Sequence, residues 1–334
     1  MKILILGGTR FLGRALVEKA LACGHELTLF NRGISNPSLY PQVRQIHGDR
    51  SSDLNLLQND HWDAVIDTCG YIPRVVRETA LALQKNVGFY TFVSTISVYV
   101  SPLPPRIGES APLIQLADPT TEEITGETYG GLKASCEGEV MRVYAGNSLI
   151  IRPGLIVGPN DPTDRFTYWV NRAAAGEEIL CPGRPDRLVE WIDVRDLAAW
   201  MIRMVEQTQS GIFNATGPST PMRDLIEAAV EVSQPPSTLT WISDDFLLSQ
   251  QVEPWTDLPL WIPDDDPEST TICNTNCDRA VQKGLSFRPT SQTVADTLKW
   301  LAQRPADQPW RAGISTEREL GLLRLWKSHR QELP

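Results

Sequence analysis

Residues 2–13 read Lys2-Ile3-Leu4-Ile5-Leu6-Gly7-Gly8-Thr9-Arg10-Phe11-Leu12-Gly13. An apolar run too short for a helix stops at a glycine turn, and helical spacing starts directly after it, with Leu12, Leu16, Val17, Ala20 and Leu21 on one face of a helix over Phe11–Cys23. A turn this tight, opening straight into a helix N-terminus, lets backbone N–H groups and the helix dipole meet a pyrophosphate. Glycine is needed where a side chain would block the approach, and Gly13 lets the helix pack close to the sheet. The spacing fits G-x-x-G-x-x-G rather than the strict dinucleotide fingerprint, with Arg10 in place of the middle glycine.

Outward from this turn the pattern repeats. Strands are predicted at Glu26–Phe30, Val43–Ile46, Asp63–Asp67, Phe89–Val93 and Leu149–Ile151, with helices at Arg74–Gln84 and Thr128–Tyr144. Strands apolar on both faces that alternate with helices predict an α/β fold, a doubly wound parallel (Rossmann) sheet covered on both sides. The second half is less regular, with helices predicted around Arg165–Ala175, Val194–Gln207 and Met222–Val232. Between Pro235 and Pro267 the prolines break any long element, and Asp264-Asp265-Asp266 reads as a solvated loop. The expected division is a dinucleotide-binding domain over residues 1–160, to which elements of about 188–215 return. A smaller C-terminal substrate domain takes most of residues 161–334.

Composition narrows the function. At 334 residues the chain is two domains long, and 41% hydrophobic with 22% charged residues is a globular balance. A net charge of −10 disfavours nucleic acid and anionic membranes as partners. The run Ile3–Leu6 is far too short for a signal segment or a span, so a cytoplasmic protein is expected. Of six cysteines only Cys273 and Cys277 lie close together, with no second pair and no histidine cluster beside them, so no metal site is expected.

Strand two ends Phe30-Asn31-Arg32-Gly33, where a carboxylate would bind a ribose 2′-OH. Asn31 stands there without a charge, and Arg32 and Arg10 can fork onto a 2′-phosphate, which predicts NADP rather than NAD. Asp49, after the third strand, is placed to contact an adenine amino group. The fifth strand leads into Ser94-Thr95, and Tyr129 and Lys133 follow on a helix, four residues apart and therefore on one face. An ammonium so placed is expected to draw the phenol pKa down from about 10 towards neutrality. Tyr129 then serves as acid or base towards a substrate oxygen that Thr95 holds.

Taken together these motifs resemble the extended short-chain dehydrogenase/reductase superfamily over roughly residues 1–215. The shared elements are the Gly7–Gly13 turn (Gly7, Thr9, Arg10, Phe11, Leu12 and Gly13), Asp49, Ser94-Thr95 with Val98-Tyr99, Tyr129 to Lys133, Arg152-Pro153-Gly154 and Ile192-Asp193. The resemblance implies Tyr129 as acid/base, Lys133 binding the nicotinamide ribose, Thr95 as hydroxyl partner, and a C-terminal substrate domain. The branch it is most similar to is labelled epimerase/dehydratase-like and includes chloroplast RNA-binding relatives. Where the dehydratases carry an Asp-Glu pair, this chain has Ile96 and Ser97, so elimination chemistry is not expected. Thr68-Cys69-Gly70-Tyr71 replaces the small residues of many epimerases after strand four.

The leading expectation is an NADP-dependent reductase or dehydrogenase acting on a small-molecule carbonyl, alcohol or conjugated double bond. The alternatives are a sugar-nucleotide epimerase that retains its cofactor, and a non-catalytic nucleotide-sensing or RNA-binding protein. Arg165 is the candidate for an anionic substrate group, against a simple surface pair with Asp164. Tyr168 and Trp191 are candidate stacking platforms, against a role as core aromatics. A homodimer paired through helices on one face, the Tyr129 helix among them, is a candidate assembly.

Overall fold

The computed structural model describes residues 1–101, 106–266, 275–305 and 307–332; Pro267 and Cys273 lie outside them. The chain divides into two compact units, one of residues 1–156, 194–217 and 275–287, the other of residues 157–193, 218–274 and 288–334. Residues 275–287 thus belong to the first unit, not to the C-terminal domain that the sequence reading extended to the end of the chain.

Six strands of the first unit are β1 (Lys2–Leu6), β2 (Glu26–Asn31), β3 (Arg44–His47), β4 (Trp62–Asp67), β5 (Val87–Val93) and β6 (Ser148–Pro153). A seventh, Gly211–Ala215, adds beyond β6, which gives the order Gly211–Ala215, β6, β5, β4, β1, β2, β3, with every pairing parallel. The chain runs outward from β1 to β3 and then crosses to β4 on the other side of β1, so the strand order reverses between β1 and β4. Ligands of open α/β sheets sit at the carboxyl ends of the strands at such a reversal. The interior positions Ile3–Leu6 and Ala64–Ile66 are wholly buried, as a sheet covered on both faces requires.

The cover is built from α1 (Phe11–Ala22), α2 (Pro73–Leu83), α3 (Gly126–Val143), and, beyond the Arg165–Ala175 helix α4 of the second unit, α5 (Val194–Glu206). Helices α1 and α5 pack together, as do α2 and α3. In the second unit α4, α6 (Met222–Ser233) and the helix Thr290–Leu301 pack on one another. The strand Ser237–Ile242 pairs in parallel with Glu177–Pro182. That pairing lies in a stretch read from the sequence as proline-broken. Pro235 and Pro236 precede the strand instead of interrupting it. Asp264 is exposed in a turn, as the solvated-loop reading expects, and there accepts from Arg184 at 2.7 Å and pairs with Arg187 at 3.1 Å. No helix among the described residues is long and apolar enough to cross a membrane.

Two motif residues turn out to be structural. Arg152, 1% exposed, forks onto Glu137 of α3 at 2.9 and 2.6 Å, and its Nη1 donates to the Tyr99 hydroxyl at 2.9 Å and to the Glu109 carbonyl at 3.0 Å. Tyr99 in turn donates to Asn214 Oδ1, at 2.5 Å. Arg152→Met leaves the Glu137 charge buried without its partner. Such losses cost about 3–5 kcal/mol, so the urea midpoint of this variant should fall steeply with an unchanged m value. A midpoint within experimental error of the parent would show that the pair contributes nothing.

Candidate active site

At the carboxyl end of β1 the chain turns on Gly7 and Gly8, with φ of +107° and +95°, values open to glycine. A methyl on Gly13 would stand 2.8 Å from the Gly8 nitrogen, so the start of α1 can lie against the turn only without a side chain there. Two asparagines tie the turn down from outside. Asn31 Nδ2 donates to the Gly7 carbonyl at 3.3 Å, and Asn36 Nδ2 to the Thr9 carbonyl at 2.9 Å. Arg10 occupies the N-cap of α1 with its side chain exposed; its carbonyl accepts from the Arg14 N–H at 3.2 Å, but its side chain caps none of the N–H groups before Arg14. The first N–H groups of α1 therefore keep no internal or capping acceptor. An anion-sized acceptor suits this cradle, which fits the dinucleotide pyrophosphate expected from the sequence.

Around the adenosine end the fit is partial. Arg32 is exposed, and its charge helps hold the Asp49 carboxyl below its ordinary range. The larger cause of that lowering is the Ser51 backbone N–H, which donates to Asp49 Oδ1 at 2.8 Å. One Asp49 oxygen is thus committed to its own turn. The adjacent Arg50, which the sequence reading passed over, forks onto Asp67 at the end of β4 at 2.9 and 2.8 Å. Tyr90 donates to Asp67 Oδ2 at 2.8 Å and the Cys69 N–H to Oδ1 at 3.1 Å. The carboxylate is wholly buried yet held below its usual range by these partners, Arg50 the strongest of them.

The residues predicted to react gather where β5 ends. Thr95 accepts from the Ser97 N–H at 3.1 Å and opens a 3₁₀ turn over Ile96–Val98. Helix α3 starts at a Thr125 capping box and brings Gly130 so close to this turn that a methyl there would overlap the Ser97 carbonyl oxygen. Glycine at 130 is what allows the preceding residue, Tyr129, to reach Thr95. The Tyr129 phenol is pushed above its ordinary value by burial, and the Thr95 side chain opposes the rise.

This corrects the expectation that Lys133 acidifies Tyr129. The Lys133 side chain is directed elsewhere, its Nζ donating to the Gly70 carbonyl at 2.7 Å and the Val93 carbonyl at 2.6 Å. It also lies 4.1 Å from the centre of the Phe92 ring and 5.2 Å from that of Tyr71. Burial draws its pKa down to about 8, while Asp67 and Glu137 nearby act in the other direction.

The remaining candidates lie in the second unit. Arg165 does not pair with Asp164. That carboxylate accepts from Arg304 at 2.6 and 3.0 Å and from the Arg311 N–H at 3.0 Å. Arg165 instead lies 5.4 Å from the centre of the Trp255 ring, joins no carboxylate among the described residues, and is lowered in pKa by burial. Tyr168 is not a platform. It is buried beneath Gly313, where a methyl would strike its ring, and meets Trp169 edge-on at 5.0 Å. Trp191 is likewise buried, 5.8 Å from Phe166. Both are core aromatics: Tyr168 lies on a buried face of α4, and Trp191 stands just before the buried strand Ile192–Asp193.

Asp161 is a residue that sequence reasoning did not single out. It is 2% exposed, its Oδ1 accepts from the Thr163 N–H and hydroxyl at 2.8 Å each, and its Oδ2 has no partner. Burial raises its pKa from 3.8 to about 6. A folded-state pKa above the unfolded one contributes stability that is present below about pH 4 and lost as pH rises through about 6. Asp161→Asn should therefore be the more stable protein at pH 8, by up to about 3 kcal/mol, with the advantage gone at pH 3.5. Thermal melts across that range check it, and equal gains at both pH values would refute the burial account.

Comparisons with known proteins bear on the family and the fold. Residues 76–216 match the family model described as the NAD dependent epimerase/dehydratase family. The chain is 28% identical over 241 residues to the chloroplast stem-loop binding protein of 41 kDa b of Arabidopsis thaliana, a match spanning 65% of this chain and 58% of that protein. It is 26% identical over 268 residues to a dTDP-6-deoxy-L-talose 4-dehydrogenase (NAD(P)(+)) of Kitasatospora kifunensis, covering 72% and 81% of the two chains. In fold it is similar to UDP-glucuronic acid 4-epimerase from Bacillus cereus in complex with NAD, with a TM-score of 0.66 at 16% identity over 91% of this chain and 99% of that one.

Proposed function

We propose that the protein, whose residues 76–216 match the NAD dependent epimerase/dehydratase family model, is an NADP-dependent oxidoreductase. Its substrate is a small-molecule carbonyl, alcohol or conjugated double bond. The observation that carries this reading is the seating of Tyr129 against Thr95, at the carboxyl end of β5, with Ile96 and Ser97 where an eliminating carboxyl pair would stand. A dinucleotide held at the Gly7–Gly13 turn would supply or receive the hydride. Tyr129 gives or takes the proton at the substrate oxygen, and Thr95 holds that oxygen by its hydroxyl.

A phenol kept neutral by burial suits the acid role, that of a reductase delivering a proton to a carbonyl oxygen. Gly7, Thr9, Phe11, Leu12 and Gly13 present the backbone that meets the pyrophosphate, with Arg10 beside them. Arg32 and Arg10 supply the cations for a 2′-phosphate, and Asn31 adds no opposing charge. In the second unit Arg165 is the anchor proposed for an anionic substrate group, since Asp164 is taken by Arg304.

A retained-cofactor epimerase uses the same Tyr129 and Thr95, and the family model includes such enzymes by name. Following NADPH at 340 nm separates the two, because only a reductase consumes it stoichiometrically with product. Tyr129→Phe should lower kcat by about 100-fold or more while NADPH affinity holds; an unchanged kcat would remove Tyr129 from the chemistry. Fluorescence titration should show NADPH binding more tightly than NADH. Arg32→Ala should weaken NADPH by about tenfold and leave NADH unmoved, whereas tighter NADH binding by the parent protein would overturn the NADP assignment.

A further inference from the structure

The loop that follows β4 puts one side chain against both members of the Tyr129/Lys133 pair. The ring of Tyr71 lies 6.5 Å from that of Tyr129, centre to centre, tilted by 38°. That separation is within the range of a direct aromatic contact. The same ring lies 5.2 Å from Lys133 Nζ, and the Phe92 ring lies 4.1 Å from that nitrogen. With the Gly70 and Val93 carbonyls at 2.7 and 2.6 Å, the ammonium has two oxygen acceptors and two aromatic neighbours. Carbonyls and Phe92 come from the sheet and its first loop residues. Tyr71 is the partly open wall, 42% exposed.

The loop carrying that wall is anchored from below. Arg50 grips Asp67, and Asp67 accepts the Cys69 N–H at 3.1 Å, two residues before Tyr71. Arg50 Nη2 also donates to Thr79 of α2 at 3.2 Å. The Tyr71 phenol is pushed up to about 12, mainly by burial, so the ring stays neutral at physiological pH and keeps its attraction for a cation.

We propose that Tyr71 is a positioning residue, closing the cage around the Lys133 ammonium and seating the Tyr129 ring, so that one side chain governs how both face the site. Its importance for turnover rests on the oxidoreductase reading above; the cage itself belongs to the ligand-free protein. The active element is the ring rather than the hydroxyl, since the ring touches both partners.

The test needs no substrate. Trace acetylation by acetic anhydride, read by mass spectrometry, reports how open the Lys133 amine is, and ¹³C NMR of tyrosine labelled at Cζ reports the Tyr129 titration. Tyr71→Phe should leave both readouts at their parent values. Tyr71→Ala should speed acetylation of Lys133 by about tenfold or more. It should also move the Tyr129 titration to lower pH, because water then reaches a phenol whose elevation comes from burial. Tyr71→Leu, which keeps bulk without a π-face, should also speed the labelling, and it substitutes for the alanine variant should that one fail to fold. Unchanged labelling and titration in Tyr71→Ala, or in Tyr71→Leu in its place, overturn the proposal, as does a Tyr71→Phe variant as altered as Tyr71→Ala. Failure of the parent protein to bind NADPH would instead remove the oxidoreductase reading and leave both readouts in force.

Discussion

The Lys133 ammonium is 3% exposed, and a charge so far from water persists only if the protein replaces its hydration shell. Two main-chain oxygens do so directly, and the carboxylates of Asp67 and Glu137 add a favourable field from further away. Each of those carboxylates is itself held by an arginine, Asp67 by the partly buried Arg50 and Glu137 by the buried Arg152. Three cations and two anions thus share the interior beside β4, β5 and β6. An isolated buried lysine would lose its proton. This one is lowered to about 8, burial being the largest cause and the Asp67 and Glu137 carboxylates acting against it.

That arrangement explains why structural motif residues accompany Thr95, Tyr129 and Lys133. Arg152 and Tyr99 lock α3 to the loop around Glu109 and to the strand that contains Asn214. Helix α3 carries Tyr129, so rigidity gained at Arg152 is passed along it to the phenol. Gly130 acts in the same sense by removing the one atom that would hold the helix off the 3₁₀ turn. The buried pairs contribute little net stability in such settings, their attraction being largely spent on desolvation. What they supply is a single register for α3 against the sheet.

Much of the first unit was legible in the sequence because its strands are short, apolar and bounded by turns, and their order alternates with amphipathic helices. The glycine turn was legible because only glycine tolerates the backbone at Gly7 and Gly8. The direction of the Lys133 side chain was not. Helical spacing puts residues 129 and 133 on one face, but a four-carbon chain can bend away to carbonyls that only the folded sheet brings near. Arg50 and Tyr71 were hidden for a similar reason, since a lone arginine in a turn and a lone tyrosine after a strand look like surface residues until Asp67 and Lys133 are seen beside them. In the second unit the paired strands at Glu177 and Ser237 lie sixty residues apart in sequence, a distance no local pattern spans.

The two asparagines behind the glycine turn have a thermodynamic consequence. With the Gly7 and Thr9 carbonyls already held by Asn31 and Asn36, the turn has surrendered its conformational freedom during folding. A diphosphate binding at this turn, as proposed, would meet donors that are pre-organised, and its binding energy would not be diverted into ordering the main chain. The same pre-organisation charges the ordering cost to the folded protein's own stability, so recognition and robustness are drawn from one reserve at this corner of the sheet.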